Sequence, residues 1–309
     1  MIDLPNERSS HIFPTPRGGG LSITISIFFS VALLYYFQLI SLVFAVALGL
    51  GGLVIAVVGW LDDHGDISVI LRGIAYSLAA IWTIYWIEGM DHIVIGKHII
   101  SLNSAGALIA FLWLVWVTNL YNFMDGTDAL AAVQAVCTGI MSGILLIFSG
   151  EQGLAMICFA ITVACFGFLF WNWPPAKIFM GDVGSCMLGF CFGVLAIFGE
   201  KIGVVPIIIW FILLSVFICD ATFTLIMRII RNEKWYSAHR SHAYQRLVQM
   251  GVGHKSLAIY VSIINIFVLW PLAYIAYQWQ QFTIASLIIT VLVMLILWLT
   301  IQYRFYQQS

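Results

Sequence analysis

Runs of about twenty apolar residues follow one another along nearly the whole chain, and this pattern leaves few folds open. A helix needs roughly 20 residues to cross a hydrocarbon core. Windows of that kind fall at about 20–40, 42–61, 69–88, 105–120, 130–149, 153–171, 184–199, 203–230, 257–279 and 283–304. Lipid offers the backbone no water, so only helices and closed barrels span it, and these runs are too long and too uniformly apolar for barrel strands. Composition agrees: 62% of the 309 residues are apolar and 9% are charged, against roughly 25% charged in soluble domains. The sequence therefore predicts an all-α polytopic membrane protein of about ten transmembrane helices, a single domain over residues 1–309. The polar first 18 residues lack the apolar core of a cleavable signal peptide. The six cysteines all fall inside apolar windows with no CxxC spacing, and read as small packing residues. A formal net charge of −1 gives no footprint for nucleic acid, and none is expected as a partner.

With ten spans, successive loops alternate between the two sides of the bilayer. All thirteen Lys and Arg except Lys97 and Lys201 belong to the side that holds both termini and the loops 62–68, 121–129, 172–183 and 231–256. The positive-inside rule makes that side cytoplasmic. Every Asp except Asp91 lies there too. Acids close to lipid are costly and usually face a protein interior or a wet cavity. Five segments delivering polar groups to one mouth indicate an enzyme or an ion pathway.

The polar segments have distinct chemistries. In "GWLDDHGDIS" (59–68), Asp62 and Asp63 at a helix end point about 100° apart if helical, which favours two different roles. In "TNLYNFMDGTDALA" (118–131), Asn122, Asp125 and Asp128 recur at i, i+3 and would line one stripe of a helix near its end. Asp128 could instead cap the next helix. In "WNWPPAKIFMGDVGS" (171–185), two prolines end one helix and Asp182 precedes another, where the helix N-terminus favours anions; Lys177 adds a cation. "SAHRSHAYQR" (237–246) offers His239, Arg240 and His242, able to hold a diphosphate or move a proton. A basic loop touching anionic lipid is the plainer alternative there. "RSSHIFPTPRGGG" (8–20) sets Arg17 before three glycines, Gly18 first, a cation beside bare backbone N–H groups that could meet phosphate.

Taken together, in this order and over about Pro5 to Gly253, these segments are similar to the polyprenyl-phosphate N-acetylhexosamine-1-phosphate transferase superfamily. The resemblance implies a Mg²⁺-dependent enzyme, with Mn²⁺ as a substitute. Its substrates would be a UDP-N-acetylhexosamine and undecaprenyl phosphate, and its products undecaprenyl-diphospho-sugar and UMP. It implies a multi-pass protein of the bacterial inner membrane, with the site on the cytoplasmic face, and it admits a homodimer. On this resemblance Asp182 is the leading metal ligand, with Asn122 or Asp125 beside it. Asp62 or Asp63 deprotonates or positions the lipid phosphate. Asn122, Asp125, Asp128 and Asn172 match residues that contact metal or nucleotide, Arg72 a cation facing the phosphates, and His239 and His242 the outer positions of a histidine-rich loop whose centre is Ser241 here. The family usually carries one span more before the "PTPRGGG" segment. The wording of "RSSHxxPTPRGGG" and "HRSHAYQR" resembles the branch that initiates O-antigen more than the branch that transfers phospho-muramoyl-pentapeptide, and the sugar of that branch is often a 6-deoxy-N-acetylhexosamine. The rival from another class is an ion-coupled transporter with Asp220 as a proton site; it fits poorly, because transporters set their sites near the midplane and between repeats.

Overall fold

The computed structural model describes residues 2–3, 14–65, 67–234 and 239–308. Thus residues 8–13 and 237–238 of the quoted segments, and Asp66, lie outside the described residues. A two-residue pair comes first, β1 (Ile2–Asp3) against β2 (Thr15–Pro16). Then come α1 (Gly20–Tyr36), α2 (Leu42–His64) and α3 (Val69–Ile87). A hairpin of β3 (His92–Ile95) and β4 (His98–Ser101) precedes α4 (Ala105–Phe123), α5 (Leu130–Phe148), α6 (Gln152–Asn172) and α7 (Asp182–Lys201). The remainder is α8 (Ile207–Leu213), α9 (Ser215–Ile230), α10 (Ala243–Gln249), α11 (His254–Ile264), α12 (Trp270–Gln278) and α13 (Thr283–Gln308). Eight of the described helical segments are long and apolar enough to cross a membrane, with α8 and α9 together a bent pair, either a ninth span or a re-entrant loop; the ten expected windows include α1, which is a shorter apolar helix. The all-α polytopic architecture follows the apolar windows closely.

The bundle is built around α7, in which every residue except Phe198 and Lys201 is buried. A helix buried on all sides needs small residues where neighbours approach. At its first turn this requirement is strict. A Cβ on Gly184 would lie 2.5 Å from the Cα of Gly20 in α1, and one on Gly59 of α2 would lie 2.7 Å from the Cα of Val183. Three helix backbones thus meet around residues 182–184, with no side chain between them.

Three features depart from the apolar pattern. The expected single span over 203–230 is broken at Leu214, where α8 and α9 are bent by 82°. No Pro or Gly marks the break. The carbonyl of Leu213 accepts the Gln134 side-chain amide (2.8 Å), and Gln134 Oε1 in turn accepts from Asn265 (2.9 Å), so buried amides satisfy the opened backbone. Asn265 begins a five-residue π-helical segment, Asn265–Leu269, between α11 and α12. There Pro271 lacks an N–H for the helix and forces local widening. Finally, the polar stretch 89–104 forms the β3–β4 hairpin. Glu200, 1% exposed at the end of α7, accepts the backbone N–H groups of Val94 and Ile207, both at 2.6 Å, and so fastens hairpin and α8 to the central helix.

Candidate active site

The opposite end of α7 gathers the polar segments. Pro16 to Gly20 runs alongside the residues before α7. The Phe179 N–H donates to Pro16 O (2.8 Å), Gly18 and Gly19 donate to Phe179 O (3.2 and 2.9 Å), and Gly20 donates to Met180 O (2.8 Å). The glycine N–H groups, expected to meet phosphate, are therefore spent on the protein's own carbonyls. Their role is to carry Arg17 over the start of α7. That is a correction for Gly18, whose φ of +107° suits the tight path but whose N–H is already taken.

Arg17 Nε lies 3.0 Å from Asp63 Oδ1, and its Nη2 lies 2.6 Å from Asp182 Oδ1. Arg72 Nη1 lies 2.9 Å from Asp62 Oδ2 and 3.3 Å from Asp182 Oδ2. Asp182 is thus bracketed by two guanidinium groups at a helix N-terminus, where the dipole also favours negative charge. Asp63 accepts the backbone N–H groups of Asp182 (2.8 Å) and Val183 (3.1 Å), capping α7 from another helix. Asp62 accepts from Ile67 N–H (2.8 Å) as well as from Arg72, and its carboxyl meets that of Asp182 instead of the α7 backbone. The adjacent acids have different surroundings, as their angular separation implies. Asp63 fixes the helix, and Asp62 orients Arg72.

The stripe of Asn122, Asp125 and Asp128 does not form. The α4 helix ends at Phe123, and the chain passes through Ala129 at φ +64° before α5, so only Asn122 is helical. Asn122 donates to Ser185 Oγ (3.1 Å), which holds it one turn along from Asp182. Asp125 feels Arg17, Asp182 and Asp63 as neighbours. Burial chiefly, with those like charges and Asp128, pushes its carboxyl well above the usual range, and Arg17 opposes them. Asp128 neither caps α5 nor joins this group. It accepts from Ala176 N–H (3.1 Å) and pairs with His254 Nδ1 (3.2 Å) at the start of α11. The sequence reading missed His254, because its only signal is position beside a loop that folds back to meet it. Asn172 is turned inward too. It accepts from Ala129 N–H (2.8 Å) and donates to Ile178 O (2.9 Å), so it braces two loops instead of facing a ligand. Lys177 is exposed over the Trp171 ring (5.7 Å), on an outer groove that Gly18 also lines, away from Arg72.

A cavity of about 450 Å³ opens beside these carboxylates. Arg72, Asn119, Asn122, His239 and His242 line its polar part, and Val69, Val115, Trp116 and Leu225 its apolar part. His239 and His242 face it with ring centroids 4.8 Å apart; Arg240, on the same loop, is half-buried. Burial, then neighbouring His242 and Arg228, push His239 down to about 4, so it is neutral near pH 7. Since the unfolded imidazole titrates near 6.5, the unfolded chain binds more protons between these values, and stability is lost as pH falls from 6.5 towards about 4. His239→Asn is expected to reduce that acid-side loss and to change nothing above pH 6.5. Melting temperatures of the two proteins across the range check this.

Four carboxylates, Asp62, Asp63, Asp125 and Asp182, stand against two guanidinium groups. A divalent cation among these crowded carboxylates would offset the repulsion that, with burial, raises the Asp125 carboxyl, and the all-oxygen donor set suits a hard ion. No cluster of three or more His, Cys, Asp or Glu with metal-holding geometry occurs among the described residues. Magnesium does not need one, since it takes one or two carboxylates and fills its shell with water and substrate phosphates.

Comparison with known proteins gives a consistent picture. Residues 44–200 match the model of glycosyl transferase family 4. A probable undecaprenyl-phosphate N-acetylglucosaminyl 1-phosphate transferase of Bacillus subtilis is 30% identical, over 85% of this chain and 74% of that protein. An undecaprenyl-phosphate alpha-N-acetylglucosaminyl 1-phosphate transferase of Escherichia coli is 28% identical, over 85% and 73%. A decaprenyl-phosphate N-acetylglucosaminephosphotransferase of Mycobacterium tuberculosis is 26% identical, over 84% and 72%.

Proposed function

The chain belongs to glycosyl transferase family 4, and on that premise we propose that it transfers an N-acetylhexosamine-1-phosphate from a UDP-sugar to undecaprenyl phosphate. A phosphate oxygen of the lipid forms a bond to the β-phosphorus of the nucleotide sugar. The bond from that phosphorus to the bridging oxygen breaks, and UMP leaves with the electron pair. The observation that carries this reading is Asp182 held between Arg17 and Arg72, the second of which also lines a cavity with both polar and apolar walls. Two anionic reactants repel each other, so alignment and neutralisation of charge are the main tasks of such a site.

Asp182, Asp125 and Asn122 would hold Mg²⁺ or Mn²⁺, which would neutralise charge on the diphosphate. Arg72 would face the phosphates, with Asp62 fixing its direction. Asp63 spends both oxygens on α7 and on Arg17, so we assign it to positioning and not to proton removal. His242 and neutral His239 line the same cavity as Arg72. The basic, acid-rich end of the bundle is assigned to the cytoplasm of a bacterial inner membrane, where UDP-sugars are made. The product would begin O-antigen or a related envelope glycan. The donor is N-acetylglucosamine, as in the names of the relatives, or a 6-deoxy-N-acetylhexosamine, as the "HRSHAYQR" wording suggests.

Purified protein in nanodiscs with undecaprenyl phosphate and Mg²⁺ should be offered a panel of UDP-sugars and the lipid product weighed. A product heavier than the carrier by one N-acetylhexosamine phosphate, lost with chelator and restored by Mg²⁺, is the expected result. Absence of any such product across the panel overturns the reading.

A further inference from the structure

His242 lines the cavity, and within its own segment it is held by one long bond, from its N–H to Gln245 Oε1 (3.3 Å). The residues that follow it form α10, only seven residues long, which is too short to hold itself in water. Its support comes from a buried acid on α9. Asp220, 8% exposed, accepts the N–H of Ala243 on Oδ1 (2.8 Å) and that of Tyr244 on Oδ2 (3.2 Å). Thr224 Oγ1 also donates to Oδ1 (3.2 Å), and Trp298 Nε1 backs Thr224 from α13 (3.1 Å). The same carboxylate stands 3.7 Å from His242 Nδ1, a buried atom. That distance exceeds a hydrogen bond but lies within the reach of charge attraction. From the far side, the Tyr244 hydroxyl donates to Phe123 O (2.9 Å), at the end of α4. The helix is therefore clamped between α9 and the loop that carries Asp125.

We infer that Asp220 is a positioning residue: it fixes the first turn of α10 so that His242 faces the cavity with Nδ1 turned to the carboxylate. The acid that could have served a proton pathway is occupied as a scaffold. The other groups around His242 do not replace it. They are the rings of His239, Phe123 and Tyr244 and, across the cavity, Arg72. The inference rests on the transferase reading for its activity measurements, so hydrogen exchange of the α10 amides is measured alongside them.

Asp220→Asn keeps the size of the side chain. It should speed exchange at residues 243–249 and lower kcat by about 10²-fold, the scale for a displaced reacting group, with little change in KM. In a His242→Ala background the same substitution should cost less than about twofold more, because its effect passes through His242. Ala243→Pro gives a second route. His242 has φ −61° and ψ 148°, a conformation suited to a residue before proline, and the first helical position accepts proline. It removes one of the two donors to Asp220 and should give the same pattern with a smaller loss, even where Asp220→Asn cannot be recovered folded. Unchanged exchange in α10, or an equal fold loss with and without His242, overturns the inference. A wild-type protein that transfers nothing overturns the transferase reading instead, and exchange alone then decides for or against the clamp.

Discussion

Asp182→Asn is expected to abolish transfer in a protein that still folds. The side chain is almost wholly buried at the start of α7, and each of its oxygens meets a different arginine. Breaking a buried ion pair usually destabilises strongly, because a charge is left without a partner. Here neither guanidinium would be left alone, since Arg17 keeps Asp63 and Arg72 keeps Asp62. The cap on α7 survives as well, because Asp63 bonds the backbone of residue 182 and not its side chain. What disappears is the negative charge that would anchor a divalent cation between two phosphorylated substrates. Removing one well-placed electrostatic contact at a reacting centre costs about 10²–10³-fold in kcat, and loss of a metal anchor should reach at least that. Product formation at ordinary Mg²⁺, measured with the melting temperature on one preparation, checks it. Wild-type turnover in a well-folded variant would remove Asp182 from the site.

Gly184→Ala should be nearly as damaging without touching a charge. The added methyl would lie 2.5 Å from the Cα of Gly20 and 2.6 Å from Cγ of Met180. The first contact is backbone, which cannot rotate away, so α1 and α7 must separate. Overpacking of this kind costs about 1–3 kcal/mol. Because residue 184 is in the same turn as Asp182, the displacement reaches the carboxylate directly. A shift of about 1 Å at a reacting centre can cost 10²-fold. Gly49→Ala provides the contrast, since a Cβ there meets nothing within 4 Å. It should leave both melting temperature and turnover unchanged, so similar behaviour of the two alanine variants would refute the close-contact explanation.

The apolar windows located nearly every membrane helix because the hydrocarbon core imposes one length and one polarity on all of them. The same windows revealed which polar segments share an end, and so Asp62, Asp63, Asp182 and Asn122 could be named together, with Arg72 added by the family resemblance. What the residues did not reveal depends on pairing across long stretches of chain. Three glycines after Arg17 look like phosphate-binding backbone until the carbonyls of Phe179 and Met180 are seen to occupy them. Asp128 looks like part of a helical stripe because nothing about Ala129 announces a left-handed conformation. The break at Leu214 is silent because the groups that satisfy it, Gln134 and Asn265, belong to other helices. His254 and Asp128 meet only once α11 has docked. The gathering of single polar residues at one end of the bundle was readable, while side chains that serve the backbone of a distant segment were not.

The cavity beside Arg72 is lined in part by Val69, at the start of α3, and Phe123, at the end of α4, both exposed on the outside of the bundle. A chain tens of carbons long would not have to leave the bilayer for its head to reach Arg72. Under the proposed reading, encounter is then a search in two dimensions. Turnover is governed by how densely the carrier populates the leaflet, so that added inert phospholipid slows the reaction even when the quantities of enzyme and carrier are held constant.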